Sequence, residues 1–335
     1  MLRIFFITLL KLFFFELTRC NDIQLLHFRM PNVHPDKADL YLCYQHEIGV
    51  NETLYITGYE PHASMDVAHH IAIYGCTTPA KSEPVYVCGL LPESKFPLPA
   101  GDVCESGSEL LFAWARDAPS MHLPEGVGLK IGKGSTIKYL VLQVHYVTAE
   151  PFKDGTPDNT GIDLLYSREP TSKVAGIFTL GSDGSIPPHS VEHMDISCVM
   201  TENKILHPFA YRAHTHTLGR VVAGYLVKYD NGNDTWFEIG KRNPLEAETF
   251  ESSWYQGVIK PGDILAARCT MESNRDTVTV VGVTDNDEMC NLYIMYYVEN
   301  DEPLENSYCY GAGPPAYYWK NDNFHNIPDE EASTL

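Results

Sequence analysis

Residues 209–229 read FAYRAHTHTLGRVVAGYLVKY. β-branched and aromatic residues dominate this stretch, glycine interrupts it, and helical periodicity is scarce there and elsewhere in the chain. Similar short runs, such as residues 53–59, 173–180 and 291–298, are separated by Gly, Pro, Asn and Asp. Together with 20 tyrosines and regular turn signals, they favour antiparallel sandwiches over a parallel α/β sheet. We therefore predict an all-β fold.

The length of 335 residues exceeds one typical domain but suits two. The segment 168–171, which contains proline, lies between two strand candidates and marks the expected joint. We predict an N-terminal β-sandwich over residues 21–170 and a C-terminal β-sandwich over residues 171–320. The stretch 321–335 is polar and acidic, and we expect a flexible acidic tail there.

The first residues have the pattern of a secretory signal peptide. A basic start, Met1-Leu2-Arg3, precedes an apolar run that Lys11 interrupts and that is too short to span a bilayer comfortably. Cleavage after Cys20 fits the small residues nearby, so we expect residues 1–20 to be removed. No later segment approaches 18 consecutive apolar residues. We expect a mature chain without a transmembrane segment, located in the lumen of a secretory granule or secreted.

Cysteine parity agrees with that compartment. Of nine cysteines, eight remain once Cys20 is removed, and an even number in a secreted chain predicts disulfides. They form one group of four before residue 105 and another from 198 onward, although spacing alone does not fix the pairs: Cys43, Cys76, Cys88, Cys104, Cys198, Cys269, Cys290 and Cys309. Two sequons predict N-glycosylation at Asn51 and Asn233. The net charge of −20 argues against nucleic acid or an anionic membrane as a partner.

Two strand-like segments carry polar or sulfur-bearing side chains at every second residue: Arg212, His214 and His216 in one, and Met289, Asn291 and Tyr293 in the other. Alternate residues of a strand share a face, so each triplet is predicted to share one. Two imidazoles and a thioether, without a thiolate, suit copper better than zinc, calcium or magnesium. Taken singly, Met289 would be read as core and Arg212 as a surface charge. Their joint occurrence predicts a metal beside a pocket for an anionic group.

A second group of histidines lies in apolar strand-like runs of the first half: His69, His70 and His145. A lone histidine in such a run is more often a hydrogen-bonded core residue, and that interpretation leads for His145 alone. Two adjacent imidazoles in one apolar strand-like run call for a common explanation, and a shared metal ion provides one. Neighbours on a strand point oppositely, so His69 and His70 can bind one metal only through different ring nitrogens or a bent backbone.

The chain resembles the copper type II, ascorbate-dependent monooxygenase family, and within it the peptidylglycine α-hydroxylating monooxygenases. The resemblance rests on motifs in the family's order along almost the whole chain: His69-His70 followed by Gly75-Cys76, Phe112-Ala113-Trp114-Ala115-Arg116, Gln143-Val144-His145-Tyr146, His214-Thr215-His216, and Asp287-Glu288-Met289-Cys290-Asn291-Leu292-Tyr293. The resemblance implies two jelly-roll-like, disulfide-braced β-sandwich domains, each binding one copper ion.

The resemblance also implies roles for individual residues. The electron-storing copper would be bound by His69, His70 and His145. The copper that binds dioxygen, at which catalysis occurs, would be bound by His214, His216 and Met289. The C-terminal glycine of a peptide would be bound by Arg212, Asn291 and Tyr293. The implied disulfides are Cys43–Cys88, Cys76–Cys104, Cys198–Cys309 and Cys269–Cys290.

The implied reaction converts peptidylglycine to peptidyl-α-hydroxyglycine with O2 and with ascorbate as reductant. It is the first step of peptide C-terminal amidation, as in neuropeptide processing, and a separate lyase would complete it for this monofunctional form. One alternative is a dopamine β-monooxygenase-like hydroxylase of a small amine, which would not need the carboxylate contacts of Arg212. Another is a non-catalytic secreted copper-binding β-sandwich, which would need neither Arg212 nor Tyr293 beside the ligands.

Overall fold

The structure is a computed structural model that describes residues 23–88, 98, 100–229, 232–247, 249–282, 284 and 286–335. The predicted signal peptide, residues 1–20, lies outside the described residues. Regular structure in the described part consists of strands and two single 3₁₀ turns, Glu150–Phe152 and Trp319–Asn321. The all-β prediction is confirmed. No helix among these residues has the length and apolar character needed to cross a bilayer.

In chain order the described strands are β1 (Gln24–Arg29), β2 (Leu40–Glu47), β3 (Thr53–His62), β4 (Ala68–Cys76), β5 (Thr78–Pro79), β6 (Val85–Cys88), β7 (Ala100–Gly101), β8 (Cys104–Ser106), β9 (Glu109–Ala115), β10 (Met121–His122), β11 (Val127–Gly132), β12 (Tyr139–Tyr146), β13 (Gly161–Ser167), β14 (Lys173–Ser182), β15 (Ser185–Ile186), β16 (Val191–Val199), β17 (His207–His214), β18 (Gly219–Lys228), β19 (Thr235–Arg242), β20 (Glu251–Ser252), β21 (Ile264–Glu272), β22 (Thr279–Val280), β23 (Asn291–Glu299) and β24 (Tyr308–Gly311).

Each half of the chain forms a sandwich of two sheets. In the first, the strands β1-β13-β3-β11 face the sheet β7-β6-β2-β12-β4-β9. The core between them contains the buried side chains of Phe28, Ile71 and Trp114. In the second, β14-β23-β17-β20 face β16-β21-β18-β19, with Leu226 and Leu292 in the core. Alternating apolar residues on these strands bury one face against the other sheet, which drives the packing.

The two sandwiches share a sheet. β11 of the first pairs in parallel with β14 of the second, with Val127 opposite Lys173 and Leu129 opposite Ala175. This pairing joins both sets of strands into one sheet of ten among the described residues. Sequence analysis predicted two domains but not this backbone connection between them.

One face of the shared sheet extends from the core of the first sandwich onto strands of the second domain. Ala175 and Ile177 on β14, with Met295 on β23, pack into the core of the first sandwich. Two residues further along the same face, β14 carries Thr179 and then Gly181. Because alternate strand residues share a face, Thr179 and Gly181 lie on the same face as Ala175 and Ile177, beyond the edge of this core.

The C-terminal segment differs from the prediction. A flexible tail was expected over 321–335, but the segment packs on the outer side of the β16-β21-β18-β19 sheet. Ala332 is fully buried, and Phe324 and Ile327 are partly buried beside it. Asp329 accepts a hydrogen bond from Arg268 at 2.9 Å. Apolar residues interspersed among the acidic ones, together with this cation, explain why the segment is held.

Four disulfides form among the described residues: Cys43–Cys88, Cys76–Cys104, Cys198–Cys309 and Cys269–Cys290. These are the pairs that the family resemblance implies. Each joins cysteines within one half of the chain. Cys198–Cys309 ties β24 to β16, and Cys269–Cys290 ties β21 to the residue before β23. Both therefore fix strands of the second sandwich.

Candidate metal centres and cleft

The three histidines of the first half converge on neighbouring strands. His70 on β4 lies opposite His145 on β12, whereas Tyr146 lies opposite Ala68. His69 is therefore an extra residue, a β-bulge, and a bulge re-aims the side chain that it carries. This local bend resolves the expected conflict between adjacent histidines that point oppositely. One ligand nitrogen from each imidazole lies within 4.8 Å of the others.

The orientation of this histidine cluster is set by ring contacts. The Nδ1 atoms of His69 and His70 are 3.2 Å apart, and the rings of His70 and His145 lie 5.0 Å apart. Tyr41 on β2 stacks on His145, with ring centroids 4.0 Å apart and an interplanar angle of 10°. Sequence analysis missed Tyr41, because only the pairing of β2 with β12 places it opposite His145. Three converging imidazoles are a donor set that suits copper.

The second candidate centre lies where β17 ends and β23 begins. Arg212 is paired with Tyr293, and His214 is paired with Asn291, so all four share one face. The alternation predicted for these residues holds. His216 and Met289 lie just outside the strands, in the segments after β17 and before β23.

The structure brings the predicted ligands of this second cluster together. The rings of His214 and His216 are 5.6 Å apart at an angle of 79°. Asn291 Nδ2 lies 3.7 Å from Met289 Sδ, a weak hydrogen bond that orients the thioether. His216 Nδ1 lies 3.1 Å from the Asp287 carbonyl oxygen, which can only accept, so Nδ1 carries the proton. The Nε2 atom then offers its lone pair to a metal.

A buried carboxylate connects the segments that carry His216 and Met289. Glu288 is fully buried, and its side chain accepts hydrogen bonds from the backbone N–H groups of His216, Leu218 and Met289. The Leu218 and Met289 bonds measure 2.7 and 2.8 Å. These bonds link the segment that carries His216 to the segment that carries Met289, so Glu288 holds the two in a fixed relation. Glu288 lies within the motif at residues 287–293, but its local sequence indicates no role for it.

Arg212 supplies a cation next to the second cluster. It is buried, and its guanidinium carbon lies 5.1 Å from the centroid of the Tyr293 ring. Burial raises the pKa of the Tyr74 phenol, on β4 of the first domain, and Tyr293 and Arg212 act on it electrostatically. The arrangement can hold a carboxylate through paired N–H donors between aromatic walls.

Family profiles match both halves of the chain. The profile for the N-terminal domain of copper type II ascorbate-dependent monooxygenase matches residues 26–153, and that for the C-terminal domain matches residues 173–322. The first profile contains the histidine cluster of β4 and β12. The second contains the cluster of His214, His216 and Met289.

Individual relatives agree with the profiles. Peptidyl-glycine alpha-amidating monooxygenase A of Xenopus laevis is 37% identical over 306 residues, which are 90% of this chain and 31% of that protein. The Rattus norvegicus peptidylglycine alpha-amidating monooxygenase is 38% identical over 308 residues, 91% of this chain and 29% of the relative. Human dopamine beta-hydroxylase is 27% identical over 325 residues, 91% of this chain and 51% of that protein.

This chain spans about a third of the length of the amidating relatives. The two profiles nevertheless follow one another along most of it, and each covers one of the two histidine-containing centres. The chain therefore belongs to the copper type II ascorbate-dependent monooxygenase family.

Proposed function

We propose that this chain hydroxylates the Cα of the C-terminal glycine of peptides, with O2 and ascorbate as co-substrates. The observation that carries the proposal is the position of Arg212, a buried cation. It lies two residues before His214 on β17, and both side chains share one face of the sheet. Planar guanidinium binds a carboxylate through two parallel N–H···O bonds. A substrate that ends in a carboxylate would be held with its last residue next to the second cluster.

The donor sets support two copper ions. His69, His70 and His145 would hold one, and His214, His216 and Met289 would hold the other. Copper bound there would supply one-electron redox chemistry: with two electrons from ascorbate and two protons, one oxygen atom of O2 would be inserted into the Cα–H bond and the other released as water. All six ligand side chains would bind copper without carrying a charge. An uncharged ligand set favours the reduced ion, Cu(I).

The residues around the second cluster would position the substrate. Arg212 would fix the carboxylate, while Tyr293 restricts the guanidinium by cation–π contact. Asn291, paired with His214, would face the glycine from the next strand. Holding the reacting carbon in one geometry removes the entropic cost of bringing the reactants together, and this lowers the activation free energy.

The comparisons favour this substrate over a small amine. Relatives named for amidation of peptidyl-glycine are 37–38% identical to the chain, against 27% for dopamine beta-hydroxylase. An amine substrate has no carboxylate to match the buried Arg212. A non-catalytic copper-binding protein would gain nothing from that arginine beside its ligands.

The chemistry of the product determines which reaction must follow the hydroxylation. A peptidyl-α-hydroxyglycine is amidated once its N–Cα bond is cleaved to give the peptide amide and glyoxylate, so a lyase would act next. We place both steps in the secretory pathway, in agreement with the disulfides and with the exposed sequon residues Asn51 and Asn233.

Oxygen consumption tests the proposal. Copper-loaded protein with ascorbate should consume O2 in the presence of N-acetyl-Phe-Gly and should form the α-hydroxyglycine product. The matching peptide amide, which lacks the carboxylate, should support little consumption. Peptide-independent consumption in fully loaded protein contradicts the proposed function. Turnover of phenethylamines instead of the peptide favours the amine alternative.

A further inference from the structure

Two rows of side chains cross four strands beside the second cluster. In register order they are Tyr310, Gly181, Asn291 and His214 in the first row, and Tyr308, Thr179, Tyr293 and Arg212 in the second. Residues directly opposite each other on paired strands point to the same face of the sheet. β24 therefore places two tyrosines on the face that carries the candidate metal ligand and the guanidinium.

Gly181 leaves a gap in the first row, and the Tyr310 ring occupies it. A Cβ on Gly181 would lie 2.5 Å from Tyr310 Cε1 and 3.0 Å from Asn291 Oδ1. The aromatic ring and the Asn291 amide therefore meet above the Gly181 backbone. Any side chain at this position would push one of them away.

The two tyrosines are held in place although they face solvent. Their rings stack with centroids 6.1 Å apart and planes within 9°. The Tyr308 hydroxyl donates to the Ser108 carbonyl oxygen of the first domain at 2.6 Å. Cys309, between them, is bonded to Cys198 on β16. Tyr310 remains 69% exposed, so its ring is a fixed apolar surface that can be covered at small conformational cost.

The register also gives the direction in which a bound peptide leaves the second cluster. On the other side of β17, β20 pairs only with Ala210 and Tyr211, so among the residues that the structure describes no strand continues the row beyond His214. Towards β14 the row continues through Asn291 and Gly181. Strands lie about 4.8 Å apart, and one residue advances a chain by at most about 3.6 Å. The residue before a glycine held at Arg212 and His214 therefore lies near Asn291 and Gly181, within side-chain reach of Tyr310.

We propose that Tyr310, lying over Gly181 and stacked on Tyr308, is the binding surface for the side chain of the residue that precedes the C-terminal glycine. A flat apolar surface selects an aromatic or large apolar side chain at that position. This inference rests on the proposed function and adds a specificity-determining residue to it. Covering one aromatic ring with another is expected to change affinity by about tenfold.

Peptide affinity tests the assignment without turnover. Calorimetry on copper-loaded protein, free of O2 and ascorbate, should give about tenfold tighter binding for N-acetyl-Phe-Gly than for N-acetyl-Ala-Gly. Tyr310→Ala should remove most of this preference while leaving the affinity for N-acetyl-Ala-Gly nearly unchanged. Tyr310→Phe keeps the ring and should keep the preference.

A matched control is Tyr229→Ala, which removes a tyrosine that is 58% exposed and has no place in either row. It should behave like the unaltered protein. Retention of the Phe-over-Ala preference in Tyr310→Ala, or its absence in the unaltered protein, overturns the assignment of Tyr310. If the unaltered protein neither binds nor hydroxylates either peptide, the proposed function itself fails, and the assignment fails with it.

Discussion

The side-chain amide of Asn291 points at the sulfur of Met289, with Nδ2 and Sδ 3.7 Å apart. The same amide presents its oxygen towards Gly181 and thus towards the Tyr310 ring. Asn291 therefore contacts a candidate copper ligand on one side, and on the other its amide oxygen lies over Gly181, next to the proposed substrate surface. We expect the position of the thioether and that of a peptide bound at the proposed surface to be coupled through this side chain.

Met289→Ala should remove one of the two proposed copper ions and abolish the proposed hydroxylation. Alanine has no sulfur, and two imidazoles alone make a weaker site for Cu(I). Copper analysis after dialysis should give about one ion per chain, and X-ray absorption should lack the copper–sulfur contribution. His69→Ala is the reciprocal variant and should keep the sulfur signal. Met65→Ala, an exposed methionine, serves as the control. Full activity in Met289→Ala would mean that the ligand assignment is wrong.

Arg212→Ala should weaken binding of glycine-ended peptides by about 10- to 100-fold, because a charge-assisted contact to the carboxylate is lost. Calorimetry gives the dissociation constant, and copper content should stay unchanged. Arg220→Ala is the matched control, since that arginine pairs with Glu272 on the surface. Equal affinity of Arg212→Ala and the unaltered protein for the free acid would exclude Arg212 as the carboxylate anchor.

Glu288→Gln should lower the free energy of unfolding by about 2–3 kcal/mol. Glutamine keeps the shape but offers a single acceptor oxygen, and its NH2 group would face a backbone N–H that it cannot bond. Urea unfolding measures the change. Glu272→Gln, at a surface ion pair, should change stability by less than about 1 kcal/mol. We also expect Glu288→Gln to weaken copper binding at the second cluster, because the segments that carry His216 and Met289 lose their common acceptor.

Glu109 should make stability depend on pH. Burial raises the pKa of this carboxyl from 4.5 to about 7. Between these values the folded state binds more protons than the unfolded state, so stability falls as pH rises from 4.5 to 7 and then levels off. Glu109→Gln removes the ionisation. Its melting temperature relative to the unaltered protein should be constant below pH 4.5 and should rise between pH 4.5 and 7.

Glu105→Gln, at an exposed neighbouring position, serves as the control substitution. Thermal melts in a series of buffers at constant ionic strength measure both variants. A Glu109→Gln curve parallel to that of the unaltered protein from pH 4.5 to 7 would contradict the assignment.

The sequence predicted the parts of the site that depend on strand alternation. Arg212 and His214 share a face, as do Asn291 and Tyr293, because a period of two is a property of each strand alone. Alternation could not account for the shared orientation of His69 and His70, which depends on a bulge formed against β12. A bulge is a property of the pair of strands, and one strand's sequence does not contain it.

Other parts depend on which distant segments meet. Tyr41, Gly181 and Tyr310 have ordinary local contexts and gain meaning only through pairing with β12, β23 and β14. The C-terminal segment was misjudged because its acidic residues dominate the composition. Its contact with the sheet depends on a few apolar side chains and on Arg268, which lies more than 50 residues away along the chain.

The pairing of β11 with β14 has a mechanical consequence. Bending the chain at residues 168–171 would stretch the backbone hydrogen bonds between β11 and β14, where Val127 is paired with Lys173 and Leu129 with Ala175. A large hinge closure is therefore opposed by a sheet, not only by side-chain contacts. In the proposed reaction, electrons would pass between the two histidine clusters, and the pairing of β11 with β14 would limit how far the two domains move relative to each other during that transfer.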